Sequence, residues 1–265
     1  MAQDDLSSGA SPAAAMAPTL LSGRRFLVTG GARGLGAAVV EALSAAGATG
    51  AVVDLLPPEP GVASTWPSAQ ADLTDERGAR EAIRALAEES GPFDGLVAAA
   101  GIVPSWHAPD QVDLEDFDRV MAVNVTGVVT TIAAVSPAMP PGSTIVAIGS
   151  LNSWRGDPHL LSYVASKHAV LGVVRSAAMA LGPRGIRVNA IAPGPVATAA
   201  LLSRVDGRTA TTGLSRTEAL AKAAELTALG RLAEEQDVAD AAVFLSSPLS
   251  RAITGHLLPV DGGML

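Results

Sequence analysis

The chain has 265 residues, 48% of them hydrophobic but only 3% aromatic, and a net charge of -8. That length suits one α/β domain with a large core built from Ala, Val, Leu and Ile, and the acidic balance argues against a nucleic-acid partner, since no basic run is present to neutralise phosphates. The absence of cysteine removes disulfides, thiolate nucleophiles and cysteine-ligated metals, and a cytoplasmic location is the expectation. Residues 1–22 read as a disordered tail of Ala, Ser and Pro with Asp4 and Asp5, too acidic at its start for a secretory signal. Residues 23–265 read as a single domain. Strands are expected at Arg25–Thr29, Ala51–Asp54, Leu96–Ala100, Ser143–Gly149, Ile186–Ile191 and His256–Val260. Helices are expected at Gly34–Ala46, Asp75–Glu89, Leu114–Val135, Leu160–Leu181, near Leu201, at Glu218–Leu229 and at Asp237–Ser246. Strands separated by helices imply parallel pairing through right-handed crossovers. Apolar runs on nearly every strand imply a sheet covered on both faces. No run of eighteen uninterrupted apolar residues occurs, so no membrane span is expected. The four histidines (His107, His159, His168, His256) lack ligand spacing, so no metal site is expected.

Two constellations carry chemistry. Thr29-Gly30-Gly31-Ala32-Arg33-Gly34-Leu35-Gly36 follows the first strand and opens the first helix. Glycines let backbone approach a pyrophosphate, and a helix N-terminus supplies free N–H groups and partial positive charge. Asp54 ends the second strand, where a carboxylate can accept both hydroxyls of an adenosine ribose and repel a 2′-phosphate. Arg33 favours the opposite choice, because a guanidinium can pair with that phosphate. The balance favours NAD over NADP.

The second constellation is Tyr163 with Lys167 four residues on and Ser150 thirteen residues upstream. A helix puts positions i and i+4 on one face. An ammonium beside a phenol favours the phenolate, so a group that ordinarily titrates near about pH 10 can exchange protons nearer neutrality. A serine hydroxyl arriving from another element can hold the substrate oxygen.

With these residues in place, the chain from Gly23 onward resembles the classical short-chain dehydrogenase/reductase family. The glycine pattern is similar to the family's TGxxxGxG, and Ser150, Tyr163 and Lys167 to its catalytic Ser and YxxxK. Asn124 stands where the family has a fourth catalytic residue. One motif departs: Ala98-Ala99-Ala100-Gly101 replaces the family's NNAG, from which a modified brace is expected. The resemblance implies a Rossmann-type doubly wound sheet of about seven parallel strands with helices on both faces. It also implies hydride transfer between NAD(H) and a secondary alcohol or ketone. Tyr163 is then the acid/base, Ser150 steadies the substrate oxygen, Lys167 tunes the phenol and holds the ribose, and Asn124 holds a water in a proton path. Along the cofactor it places Gly30, Arg33, Gly34, Leu35, Gly36, Asp54, Asp72, Leu73, Ala99, Ala100, Gly101, Tyr163, Lys167, Pro193, Gly194, Val196 and Thr198.

The substrate side is expected to draw on Ser150, Trp154, His159, Tyr163 and Leu202. Leu160, Trp106, His107, Leu201 and Arg216 are further candidates, and residues 199–217 are read as a lid. Packing or surface roles are equally open to each of these outside the catalytic set. As partners the resemblance implies a small-molecule substrate and further copies of the chain, as a tetramer or dimer through the helices expected at Leu114–Val135 and Leu160–Leu181. Two other readings stand beside this one: an NADPH-dependent ketoreductase of the 3-oxoacyl type, and a protein that binds NAD without turnover.

Overall fold

The computed structural model describes residues 19–58, 66–198, 201–202 and 215–264. Most of the expected tail and most of the expected 199–217 lid lie outside the described residues, as do Gly207 and Gly213. Seven strands form one wholly parallel sheet. In chain order they are β1 (Arg25–Thr29), β2 (Thr49–Asp54), β3 (Ser68–Gln70), β4 (Gly95–Ala98), β5 (Thr144–Ile148), β6 (Arg187–Pro193) and β7 (Leu257–Val260). The spatial order is β3-β2-β1-β4-β5-β6-β7. The chain therefore works outward from β1 in one direction and from β4 in the other. The carboxyl ends of β1 and β4 part at this reversal, which is where open α/β sheets bind ligands.

The helices are α1 (Gly34–Ala45), α2 (Glu76–Ser90), α3 (Leu114–Met121), α4 (Gly127–Val135), α5 (Leu161–Leu181), α6 (Arg216–Glu225) and α7 (Glu235–Ser246). Alternate residues along each strand supply one of two cores. In β5, Ile145 and Ala147 join the core under α2, α4 and α5. Val146 and Ile148 join the core under α1 and α7. Both faces of the strand are thus buried, which explains apolar runs without alternation.

Four details differ from the sequence expectations. β3 was not foreseen: it is three residues long, lies at the sheet edge and carries two polar residues, so it has no apolar run to announce it. The strand expected through Ala100 ends at Ala98, because Ala99 and Ala100 turn out to face the glycine loop. The expected helix Leu114–Val135 is broken by a π turn at Ala122–Thr126, where a local i→i+5 pattern inserts one extra residue. Packing also reaches further back than Gly23. Leu21 is 1% exposed, lies in the core under α1, and bonds through its N–H to the Ala46 carbonyl.

Two continuous helical stretches, Leu114–Ala138 and Leu161–Arg184, are long and apolar enough to cross a membrane by length and composition alone. Both pack against the sheet and contribute to its core.

Candidate active site at the carboxyl edge of the sheet

The glycine loop leaves β1 at Thr29 and folds back on the start of α1. Gly30 has φ 70, a left-handed conformation, and a side chain there would meet the Ala100 backbone at 2.6 Å. A Cβ on Gly36 would lie 1.9 Å from the Gly30 carbonyl oxygen. Only glycine allows both approaches. Arg33 is the N-cap of α1, in extended conformation, with no side-chain cap and no acidic residue in the first turn. The open N–H groups of α1 therefore face the loop with their partial positive charge unanswered by the helix itself. Leu35 turns inward and packs against the core.

Asp54 reaches across from β2. Its Oδ2 accepts the Ala32 N–H at 3.0 Å and its Oδ1 accepts the Leu56 N–H at 3.1 Å. Each oxygen keeps a further lone pair for another donor. Beside it a cleft of about 240 Å³ is lined by Ala32, Asp54, Ser68, Ala69 and Gln70 among others. These features fit a dinucleotide: a cradle closed to side chains, an uncapped helix end for the pyrophosphate, and an acceptor pair for ribose hydroxyls. Asp72 stands exposed nearby, its Oδ1 accepting from both the N–H and the hydroxyl of Thr74. Leu73 commits its side chain to the core against Gly127, so only its backbone is free for a cofactor.

Across the crevice, the alanines of Ala98-Ala99-Ala100 carry no amide to brace the sheet. The Ala99 N–H bonds to the Thr29 carbonyl, and the loop beyond Gly101 is clamped by Asn124. Asn124 Oδ1 accepts the Ile102 N–H at 2.8 Å. Its Nδ2 donates to the Ile102 carbonyl at 2.9 Å and to Ser166 Oγ at 3.0 Å. Asn124 lies in the π turn and is buried. Asn124 thus ties the loop after Gly101 to α5.

Ser150 follows β5 as the N-cap of a single 3₁₀ turn, Leu151–Ser153. Its Oγ accepts the Asn152 N–H at 3.1 Å, while its own N–H donates to Ser153 Oγ at 3.2 Å. That reciprocal box fixes the serine rotamer. The turn packs against α5, which carries Tyr163 and Lys167 one turn apart. The Lys167 Nζ lies 5.5 Å from the Tyr163 ring centroid and donates to the Ile148 carbonyl at 2.8 Å. Burial pushes the lysine down to about 8 from 10.5. Gly101 lies alongside, where a Cβ would stand 3.7 Å from this ammonium. Tyr163 itself is half-buried.

On the third side, Pro193 ends β6 and Gly194 donates to the Val260 carbonyl. A Cβ at Gly194 would meet Asp261 at 2.8 Å. Val196 is buried and bridges to Ala233. The Thr198 hydroxyl accepts the Leu201 N–H at 3.1 Å, and the Leu202 N–H bonds to the Thr198 carbonyl. Among the substrate candidates, Trp154 is 44% exposed and Leu160 is buried. The His107 N–H bonds to the His159 carbonyl, pinning the two flanking loops together. Leu202 is partly buried. Arg216 starts α6, whose N-cap Ser215 forms a capping box with Glu218.

Sequence reasoning missed three polar residues here. Ser153 completes the turn that holds Ser150. Ser166 links Asn124 to the Tyr163 carbonyl. Asn152 sits beside the Ser150 hydroxyl. None has a spacing that distinguishes it from a turn or helix residue. The described residues hold no cluster of His, Cys, Asp and Glu able to bind a metal.

Known proteins resemble this chain in sequence and fold. A family profile described as Enoyl-(Acyl carrier protein) reductase matches residues 30–265. Short-chain dehydrogenase reductase 5 of Arabidopsis thaliana is 37% identical over 252 residues, covering 92% of this chain and 95% of that protein. Carveol dehydrogenase from Mycobacterium avium in complex with NAD superposes with a TM-score of 0.85 at 26% identity, covering 92% of this chain and 98% of that one. A blue fluorescent protein from a metagenomic library, in complex with NADPH, superposes at 0.81 with 34% identity over the same shares.

Proposed function

The chain belongs to the short-chain dehydrogenase/reductase family of oxidoreductases, and on that premise we propose that it interconverts a neutral secondary alcohol and its ketone, with NAD as the preferred cofactor. The observation that carries the reading is the buried Lys167 ammonium 5.5 Å from the ring of Tyr163. When bound, a nicotinamide supplies the hydride acceptor for oxidation or the donor for reduction. Tyr163 takes the hydroxyl proton in the oxidative direction and returns it in the reductive one. Ser150 donates to the substrate oxygen and steadies the charge that develops there. The capping box fixes its oxygen, and only a weak 3.5 Å contact to Asn152 Oδ1 is given up when it does so.

Lys167 favours the phenolate through its charge and offers its remaining N–H donors to a ribose. The side chain of Asn124 is spent on Ile102 and Ser166. We assign its main-chain carbonyl, in the π turn, the water that carries protons from Lys167 to solvent. Gly30, Gly34, Gly36 and the start of α1 hold the pyrophosphate, and Asp54 the adenosine ribose. The solved relative holding NAD supports this assignment.

A second reading, an NADPH-dependent ketoreductase of the 3-oxoacyl type, is favoured by Arg33 at the mouth of the loop and by the solved relative holding NADPH. Following absorbance of the reduced cofactor over a panel of secondary alcohols, with NAD and with NADP, separates the two. The proposal expects kcat/KM roughly fivefold or more in favour of NAD, as the Asp54 carboxylate repels a 2′-phosphate. A preference of that size for NADP overturns the cofactor assignment.

A further inference from the structure

We infer that Asn152 is a second substrate-contacting side chain, and that the alcohol handled here carries a hydroxyl on the carbon next to the reacting one. This rests on the redox reading above. The starting point is a carboxamide that the local fold does not use. The 3₁₀ turn after β5 needs only the backbone N–H of Asn152, which donates to Ser150 Oγ at 3.1 Å. Ser153, not Asn152, supplies the side chain that completes the capping box. For the turn alone, any residue with an N–H would serve at position 152.

The residue is nevertheless 92% buried, with 8% of its surface exposed. Its single side-chain hydrogen bond is a long one, from the Ser150 hydroxyl to Oδ1 at 3.5 Å, near the limit at which such a contact counts. Among the described residues the Nδ2 donates to nothing, yet it is not among the buried atoms sealed without a partner. An amide in that state is open to a ligand or a water. Ser150 keeps a similar sliver of accessible surface, 7%.

The chemistry of the pair then selects a ligand. When the Ser150 hydroxyl turns to donate to a substrate oxygen, Asn152 loses its weak donor and its Oδ1 becomes an open acceptor. Beside it, Nδ2 is an open donor. One group that answers both is a hydroxyl, which accepts from Nδ2 and donates to Oδ1. The closely spaced oxygens of a vicinal diol match the 3.5 Å between Ser150 Oγ and the carboxamide, so one can accept from Ser150 while the other meets Asn152. Exchanging the amide's oxygen and nitrogen leaves the argument intact, since either orientation presents one donor and one acceptor. The substrate class is a vicinal diol, or in the reverse direction an α-hydroxy ketone.

Matched pairs test this: cyclohexanol against trans-cyclohexane-1,2-diol, and butan-2-ol against butane-2,3-diol, followed by NADH absorbance with wild type and N152L. The wild type is expected to give the higher kcat/KM on the diol of each pair. In N152L that diol-to-monoalcohol ratio is expected to fall about tenfold or more, with NAD affinity, read by tryptophan fluorescence, close to wild type. N152A removes the carboxamide without adding bulk and repeats the comparison should the leucine variant fold poorly. A ratio equal in wild type and variants, or a wild type that prefers the monoalcohols, overturns the inference and leaves the redox reading standing. NAD binding with no turnover of any substrate in either class sinks the redox reading, and the inference with it.

Discussion

Lys167 shows what the site costs the fold. Its ammonium is buried, and the one hydrogen bond found for it runs to the Ile148 carbonyl. The unfolded lysine titrates near 10.5 and the folded one near 8. Between those values the unfolded chain binds more protons, so stability rises with pH across that window, and the penalty is fully present below it. Its size is about 3 kcal/mol, against about 1 kcal/mol for the hydrogen bond a replacement would forfeit. We therefore expect Lys167→Met to stabilise the cofactor-free protein by up to about 2 kcal/mol at pH 7, and to lose that advantage as pH approaches 10.5. Urea unfolding at pH 7 and pH 10 checks both statements. A variant less stable than wild type at pH 7 would mean that the lysine is better solvated or paired than its surroundings indicate.

At the scale of elements, what could be read from the chain depended on how local the signal was. The helix starts at Gly34, Glu76, Leu114 and Leu161 stand within a residue of expectation, because caps, glycines and apolar periodicity are written locally. The edge strand Ser68–Gln70 was illegible, since its existence depends on β2 offering a free edge. The π turn was hidden too: Ala122–Thr126 reads as ordinary helix, and only packing against α5 and the loop after Gly101 reveals the extra residue. The same reasoning covers the site. Gly30, Asp54, Ser150, Tyr163 and Lys167 announce themselves by spacing, whereas Ser166 and Asn152 matter only through what the fold sets beside them.

The amino-terminal boundary was also misjudged, because Leu20 and Leu21 follow a polar, proline-broken stretch and look like part of it. Leu21 is in fact fully buried under α1. A chain beginning at Gly23 should accordingly be less stable than one beginning at Thr19, by an amount in the range of about 2–5 kcal/mol seen for losing a buried leucine. Thermal melts of the two truncations measure it, and equal midpoints would show that Leu21 adds nothing.

For the molecule as a whole, the sheet order explains why residues distant in sequence meet. Reversal between β1 and β4 opens a crevice whose walls are the glycine loop on one side and Ala99–Gly101 on the other. β5 and β6 then deliver Ser150 and Pro193-Gly194 to the same edge. The outer faces of the helical layers keep exposed apolar residues, among them Leu114, Val129, Leu161 and Met179. Exposed apolar residues of this kind on α3, α4 and α5 are compatible with the expected association between copies of the chain. Light scattering coupled to size exclusion should give a dimer or tetramer mass, and a monomer at micromolar concentration would overturn the expected association.

The central claim is that the Tyr163 hydroxyl moves the proton. Its most direct test is Tyr163→Phe, which deletes one oxygen and leaves the ring. With NAD binding held close to wild type by fluorescence titration, turnover of the best alcohol should fall by roughly 10²–10⁴-fold. Turnover within a few-fold of wild type would contradict the account and require another proton acceptor.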